Sequence, residues 1–193
     1  MALKIVTAPA VEPVTLAEAK LHLRVDGTDE DTLIAGLIQA AREHLETVIL
    51  GRALVTQTLE YVVSRFPCWE MPLPRPPLQS VTTVKYTDSL NAEHTLSNTL
   101  YCLNIDRSPG LLTPAYGKSW PTATLAPTGA IRIRYVAGYG LAAAVPQAFK
   151  QAILLLVGHL YANRELTSAQ ALTVVPLAVD SLCADRCFGN WED

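Results

Sequence analysis

The stretch AIRIRYVAGYGLAAAVPQAFKQAILLLVGHL (Ala130–Leu160) changes its hydrophobic period once, and that change decides the fold class. Ile131, Ile133 and Tyr135 alternate with Arg132 and Arg134, the pattern of a half-buried strand with two basic residues facing outward. Gly138 and Gly140 stop the strand. Val145-Pro146 then opens a helix, because proline suits the first helical turn, and Phe149, Ile153, Leu156 and Leu160 lie along one face of it. Leu154, Leu155 and Val157 fill the other faces. A helix apolar nearly all round must be covered on more than one side, by its own domain or by a neighbouring subunit.

Working outward, the N-terminal part is helical. Thr15 followed by Glu18 is a capping box, and Leu16, Ala19, Leu21 and Leu23 make a short helix that Gly27 can end. A second helix of roughly 20 residues begins near Thr28 or Asp29 and ends by Gly51. Asp29, Glu30 and Asp31 suit its dipole, and Leu33, Ile34, Leu37, Ile38, Ala41, Leu45 and Val48 follow the helical period. Thr56, Thr58, Tyr61, Val62 and Val63 open a β region. Five of the chain's 13 prolines fall in residues 67–77, which read as a stiff extended connector. Val81, Val84 and Tyr86, then Thr95, Leu96, Tyr101, Leu103 and Ile105, read as short strands around a turn at Asp88–Asn91. Residues 106–129, rich in Pro, Gly and Thr, read as loop, as do residues 164–175, and Val179–Cys187 as a last short helix. The expectation is an α+β fold: a helical core from the N- and C-terminal helices (1–51 and 141–187), an inserted small antiparallel β region (52–140) and a polar tail (188–193).

Composition excludes several classes. Half of the 193 residues are hydrophobic and 17% charged, enough for a buried core and unlike a disordered or coiled-coil chain. Fifteen Lys and Arg against 18 Asp and Glu leave a net charge of −3, with no general basic surface to hold DNA by counterion release. The first 50 residues carry eight acids and four bases, so the negative charge is concentrated there. The longest apolar run, Ala152–Leu160 interrupted by His159, falls far short of the about 20 residues a bilayer requires. The N-terminus lacks a signal-peptide pattern, so Cys68, Cys102, Cys183 and Cys187 are expected as reduced thiols.

Chemistry-bearing motifs are sparse. Cys183 and Cys187 stand one helical turn apart and supply half a metal site, but none of His22, His44, His94 and His159 is paired at ligand spacing. No Gly-x-Ser-x-Gly elbow, Cys/His signature or dinucleotide fingerprint occurs, and Gly117-Lys118-Ser119 lacks the upstream glycine of a phosphate loop. Asp29, Glu30 and Asp31 are consecutive at a helix start and so point in different directions, which suits the dipole better than a cation. Trp69, Trp120 and Trp191 fall in loop or tail segments, where such rings pack at an interface or cover a core. No cofactor is expected. An enzyme reading, a small metal-dependent hydrolase using Cys183, Cys187 and His159, stands as one alternative.

The order of segments says more than any motif. VTLAEAKLHLR (Val14–Arg24), the acids 29–31 with Leu33-Ile34, Ala41-Arg42 and Glu46, and Leu54 with Thr56-Gln57-Thr58 resemble the start of the tailed-bacteriophage head-to-tail connector (adaptor, head-completion) family. LPRPPLQSV (Leu73–Val81) with Val84, Tyr86 and Asp88, then Trp120-Pro121, AIRIRYVAGYG (Ala130–Gly140) and the run from Val145-Pro146 to Glu165 resemble its longer prophage members with an inserted β region. The resemblance implies a structural virion protein without enzyme activity, at the head–tail neck of the virion and in the host cytoplasm during assembly. It implies a ring, commonly a dodecamer, of copies that can be monomeric before assembly; another tail or neck structural subunit is the alternative of the same kind. That ring sits beneath the portal protein, extends the channel for genomic DNA without sequence-specific binding, and docks a tail-completion or stopper protein; no membrane is involved. Leu33, Leu37, Leu45, Phe149, Ile153, Leu156 and Leu160 are then the expected subunit-interface residues, because the two long helices carry more apolar face than a lone small domain requires. Leu182, Arg186, Phe188 and Trp191 are the expected portal contacts, since the C-terminal segment reaches the portal in that family.

Overall fold

The strand-to-helix switch at residues 130–160 is present in the computed structural model, which describes residues 1–163 and 177–184. The chain forms two compact units. One comprises Met1–Ala10 and Thr56–Tyr139, the other Val11–Val55 and the described residues from Gly140 onward. Both helices and antiparallel sheet are present, an α+β fold.

The first unit is built on a five-stranded antiparallel sheet. Its strands are β1 (Ala2–Thr7), β2 (Gln57–Val63), β4 (Leu78–Thr87), β5 (Glu93–Thr95) and β8 (Ile131–Ala137), in the order β1-β2-β8-β4-β5. β8 is central because it is free of proline, alternates strictly and can bond on both edges: Ile131, Ile133, Tyr135 and Ala137 are fully buried, while Arg132 and Arg134 face out. The Tyr135 hydroxyl donates to the Pro74 carbonyl at 2.6 Å, which satisfies the only polar atom of a buried ring, and burial pushes its phenol well above the usual range. Asp88 makes the expected turn, accepting from the backbone N–H groups of Leu90 and Ala92 at 2.9 and 3.0 Å.

A second, three-stranded sheet has the order β3 (Met71–Pro72), β7 (Leu111–Pro114), β6 (Tyr101–Asn104). Two sequence expectations change here. Residues 111–114, expected as loop, form its central strand, and the proline-rich connector supplies a two-residue edge at Met71–Pro72. Proline is tolerated at such an edge because its missing N–H removes no interior ladder bond. Gly110 enters β7 so close to Leu78 that a Cβ there would sit 2.5 Å from the Leu78 Cβ. The N-terminal segment also departs from expectation: Ala2–Thr7 pairs with β2 and belongs to the sheet, not to the helical part.

The helical unit contains α1 (Leu16–Leu23), α2 (Asp31–His44), α3 (Gln147–Ala162) and α4 (Leu177–Cys183). The capping box at Thr15 forms in full, and its hydrogen bonds hold the Glu18 carboxyl below its ordinary range. α1 ends earlier than Gly27, on Arg24 in the left-handed conformation. α2 continues as a π-helical turn over Leu45–Leu50 and stops at Gly51, whose positive φ of 61° a glycine adopts without steric cost. Ile34, Ile38, Ala41, Leu45 and Leu50 carry its buried stripe. α3 packs against α1, α2 and α4, which answers the question its all-round hydrophobicity posed.

One polar network lies inside this unit. Arg42 is buried, and its guanidinium donates to Glu12 at 2.7 Å and to Glu46 at 3.0 Å; Glu46, also buried, accepts the Leu54 N–H at 2.7 Å through its other oxygen. Burial works against the charge on Arg42, but the two carboxylates outweigh it and raise its pKa. Arg42→Ala leaves the Glu46 carboxylate buried with its main partner gone and is expected to destabilise the protein by about 3–5 kcal/mol. Glu12→Ala removes a partly exposed partner and should cost no more than about 1 kcal/mol. Urea unfolding of the two variants measures both.

Candidate docking surfaces

The sequence expectation for subunit contacts divides in the structure. Leu45, Phe149, Ile153 and Leu156 are at most 4% exposed, covered by the chain's own helices. They belong to the protomer core and not to a subunit contact, because this face of α3 packs against α1, α2 and α4. Leu33 and Leu160 remain exposed and Leu37 half-buried; Leu33 and Leu37, four residues apart, share a face of α2. Leu21, Val48 and Leu141 are strongly exposed as well, and sequence periodicity did not single them out as contacts. Of the expected portal contacts, Leu182 on α4 is half-buried, while Arg186, Phe188 and Trp191 lie outside the described residues.

The acids at the start of α2 go separate ways, as consecutive helical positions must. Asp31 accepts from Lys20 at 2.6 Å, Glu30 accepts from the Tyr161 hydroxyl, and Asp26 and Asp29 stand exposed in the α1–α2 connection. Among the described residues no group of three or more His, Cys, Asp or Glu side chains is placed to hold a metal ion. Cys183 is buried on α4, His159 lies on α3, and Cys187 falls outside the described residues. No helix among the described residues is long and apolar enough to cross a membrane.

In the sheet unit, the outward face of β2, β4, β5 and β8 forms a shallow groove of about 270 Å³ lined by Glu60, Thr83, Lys85, Glu93, Arg132 and Arg134. Strand register assembles it: Glu60 lies opposite Arg134, and Lys85 opposite Arg132. Arg134 bonds Glu60 at 3.0 Å and Lys85 bonds Glu93 at 2.6 Å. The bond from Lys85, and its charge, hold the Glu93 carboxyl below the ordinary carboxylate range. The alternation of Arg132 and Arg134 marks their outward direction in the sequence, but their neighbours on β2, β4 and β5 come from distant positions and carry no local signal. Elsewhere in this unit Trp120 is buried and stacks on Phe66 at 5.0 Å, whereas Trp69 and Tyr116 are exposed.

A family model described as "Head completion protein" matches residues 12–173. A chain in the neck of an empty gene transfer agent particle, computed with C6 symmetry, superimposes with a TM-score of 0.80 at 24% identity, covering 98% of this chain and 97% of that one. A chain of the native gene transfer agent virion gives 0.76 at 25% identity, covering 98% and 97%. A third, from the native particle's neck computed with C12 symmetry, gives 0.70 at 21% identity, covering 100% and 99%. No curated protein matches the chain.

Two outcomes follow from the burial and charge pattern. Leu156→Asp, which puts a carboxylate into the protomer core, is expected to unfold the isolated chain, while Leu33→Asp leaves its unfolding free energy from urea titration within about 0.5 kcal/mol of wild type. In the groove, Lys85→Met returns the Glu93 carboxyl toward its ordinary pKa, so its NMR titration midpoint moves up. The Lys85–Glu93 bond is formed at neutral pH and lost as pH falls through the depressed Glu93 value.

Proposed function

The chain belongs to the head completion protein family, and on that premise we propose that it is a structural subunit of the virion's head–tail junction, acting by shape and position. The observation that carries this reading is the family match itself, which runs from residue 12 to residue 173 and so through both units. The similar folds found in the neck of gene transfer agent particles support the same location.

The finer reading is a closed ring of twelve copies beneath the portal protein, extending the channel through which genomic DNA passes and offering its far side to a tail-completion or stopper protein. Support for the ring comes from the symmetry of the similar neck structures, C6 and C12. Exposed apolar side chains on the helical unit, Leu33, Leu160, Leu21 and Val48, supply surface that a neighbour covers. The net charge of −3 suits a conduit, because a basic lumen would retain phosphates. The C-terminal segment with Leu182, Arg186, Phe188 and Trp191 is the proposed portal contact.

Mass measurement of the full chain, alone and mixed with portal, tests this. The expected result is an oligomer on the portal, abolished by Leu33→Asp combined with Leu160→Asp while the monomer stays folded. A chain that remains strictly monomeric and never joins portal contradicts it. Duplex DNA at physiological salt is expected to bind weakly, and sub-micromolar affinity in a fluorescence titration contradicts the conduit.

A further inference from the structure

The groove on the sheet unit holds an imbalance that the protomer does not resolve. Three cations, Lys85, Arg132 and Arg134, share it with two carboxylates, Glu60 and Glu93. Both carboxylates are engaged, Glu60 by Arg134 and Glu93 by Lys85. Arg132 is exposed; its charge helps to hold the Glu93 carboxyl low, but among the described residues no carboxylate lies within ion-pair distance of it. It also stands directly across from Lys85 in the ladder, a like-charge pairing in which both cations act on the single carboxylate of Glu93. The groove therefore carries one more cation than it has carboxylates.

The chemistry of the lining narrows the occupant. A polyphosphate strand laid along the groove would meet Glu60 and Glu93 as well as the cations, and a chain of net charge −3 gives it little long-range attraction. A short acidic polypeptide loop avoids that conflict, because it delivers isolated carboxylates between the fixed ones. This chain carries such a loop. Asp26 and Asp29 flank Gly27-Thr28 in the connection between α1 and α2, all four residues are exposed, and a Cβ added at Gly27 would meet nothing within 4 Å. Among the described residues neither Asp26 nor Asp29 forms an ion pair, in contrast to Asp31 on Lys20. Arg132 and Arg134, two positions apart on one strand face, are separated by about 7 Å, a spacing that two carboxylates three residues apart in a turn can meet.

We propose that the Lys85–Arg132–Arg134 groove of one copy receives the Asp26–Asp29 loop of a second copy. The contact joins two different surfaces, so it is heterologous and propagates around a ring. It rests on the ring reading above, whose failure must be told apart from its own.

Charge reversal does this with the full-length chain. Arg132→Glu breaks no direct ion pair among the described residues and removes only its longer-range attraction on Glu93, and Asp26→Lys with Asp29→Lys alters only exposed side chains; circular dichroism checks that each variant stays folded. Assembly is followed by sedimentation velocity and native mass spectrometry, with and without portal. The expected result is that Arg132→Glu and the double Asp→Lys variant each lose assembly affinity by tenfold or more, while an equimolar mixture of the two regains it as an alternating ring. Joining all three substitutions in one chain should restore it as well. If wild type assembles and both variants assemble equally well, the contact is overturned and the ring reading stands. A wild-type chain that assembles under neither condition overturns both. If the variants fail and neither the mixture nor the triple variant recovers, the loss has another origin and the contact is overturned. If Arg132→Glu leaves assembly intact and abolishes residual duplex DNA binding, the groove belongs to phosphate, which equally overturns the proposal.

Discussion

The carboxylate of Glu46 is the constraint on which the helical unit depends. It lies buried near the end of the long N-terminal helix, with one oxygen on Arg42 and the other on the Leu54 N–H. A buried ion pair of this kind adds little net stability over apolar residues of the same shape, but leaving either partner alone is costly, so it restricts how the chain can be arranged. Here the restriction falls on the exit from the helix. The last turn widens into π geometry, Gly51 turns the chain, and the Glu46 bond holds Leu54 just before β2 begins. Arg42 reaches Glu12 as well, so one guanidinium ties the segment entering α1 to the segment leaving α2.

The physical signals that were local in the chain were legible. The period change at Ala130–Leu160, the capping box at Thr15 and Glu18, the turn at Asp88 and the end of the second helix at Gly51 each depend on neighbours within a few residues, and each is present in the structure. Pairing across long separations was not legible. β1 is a strand because β2, some 55 residues later, offers it an edge, and β7 is a central strand in a segment whose Pro, Gly and Thr content reads as loop. Arg42 shows the same limit: a charged residue beside Ala41 looks like helix surface until Glu12 and Glu46 are seen to enclose it. The apolar surplus of α3 was read correctly as a demand for cover, but a sequence cannot say whether the cover comes from the same chain or another. For Phe149, Ile153 and Leu156 it comes from the same chain.

What remains for contact between copies is therefore modest: scattered exposed leucines and valines on the helical unit and a charged groove on the sheet unit. In the ring proposed above, small heterologous contacts would suit a subunit gathered by a template, because closure of a ring multiplies weak pairwise terms once the copies are held together. The proposed contact would also choose register, since a neighbour shifted along the groove would meet Glu60 or Glu93 instead of Arg132.

The most direct measurement is electron cryomicroscopy of DNA-filled heads assembled with and without this chain. The account predicts a ring of density at the portal vertex, into which the two units fit as separate bodies, and its absence when the chain is omitted. Heads whose portal vertex looks the same in both preparations, or density for the chain elsewhere in the particle, would contradict it.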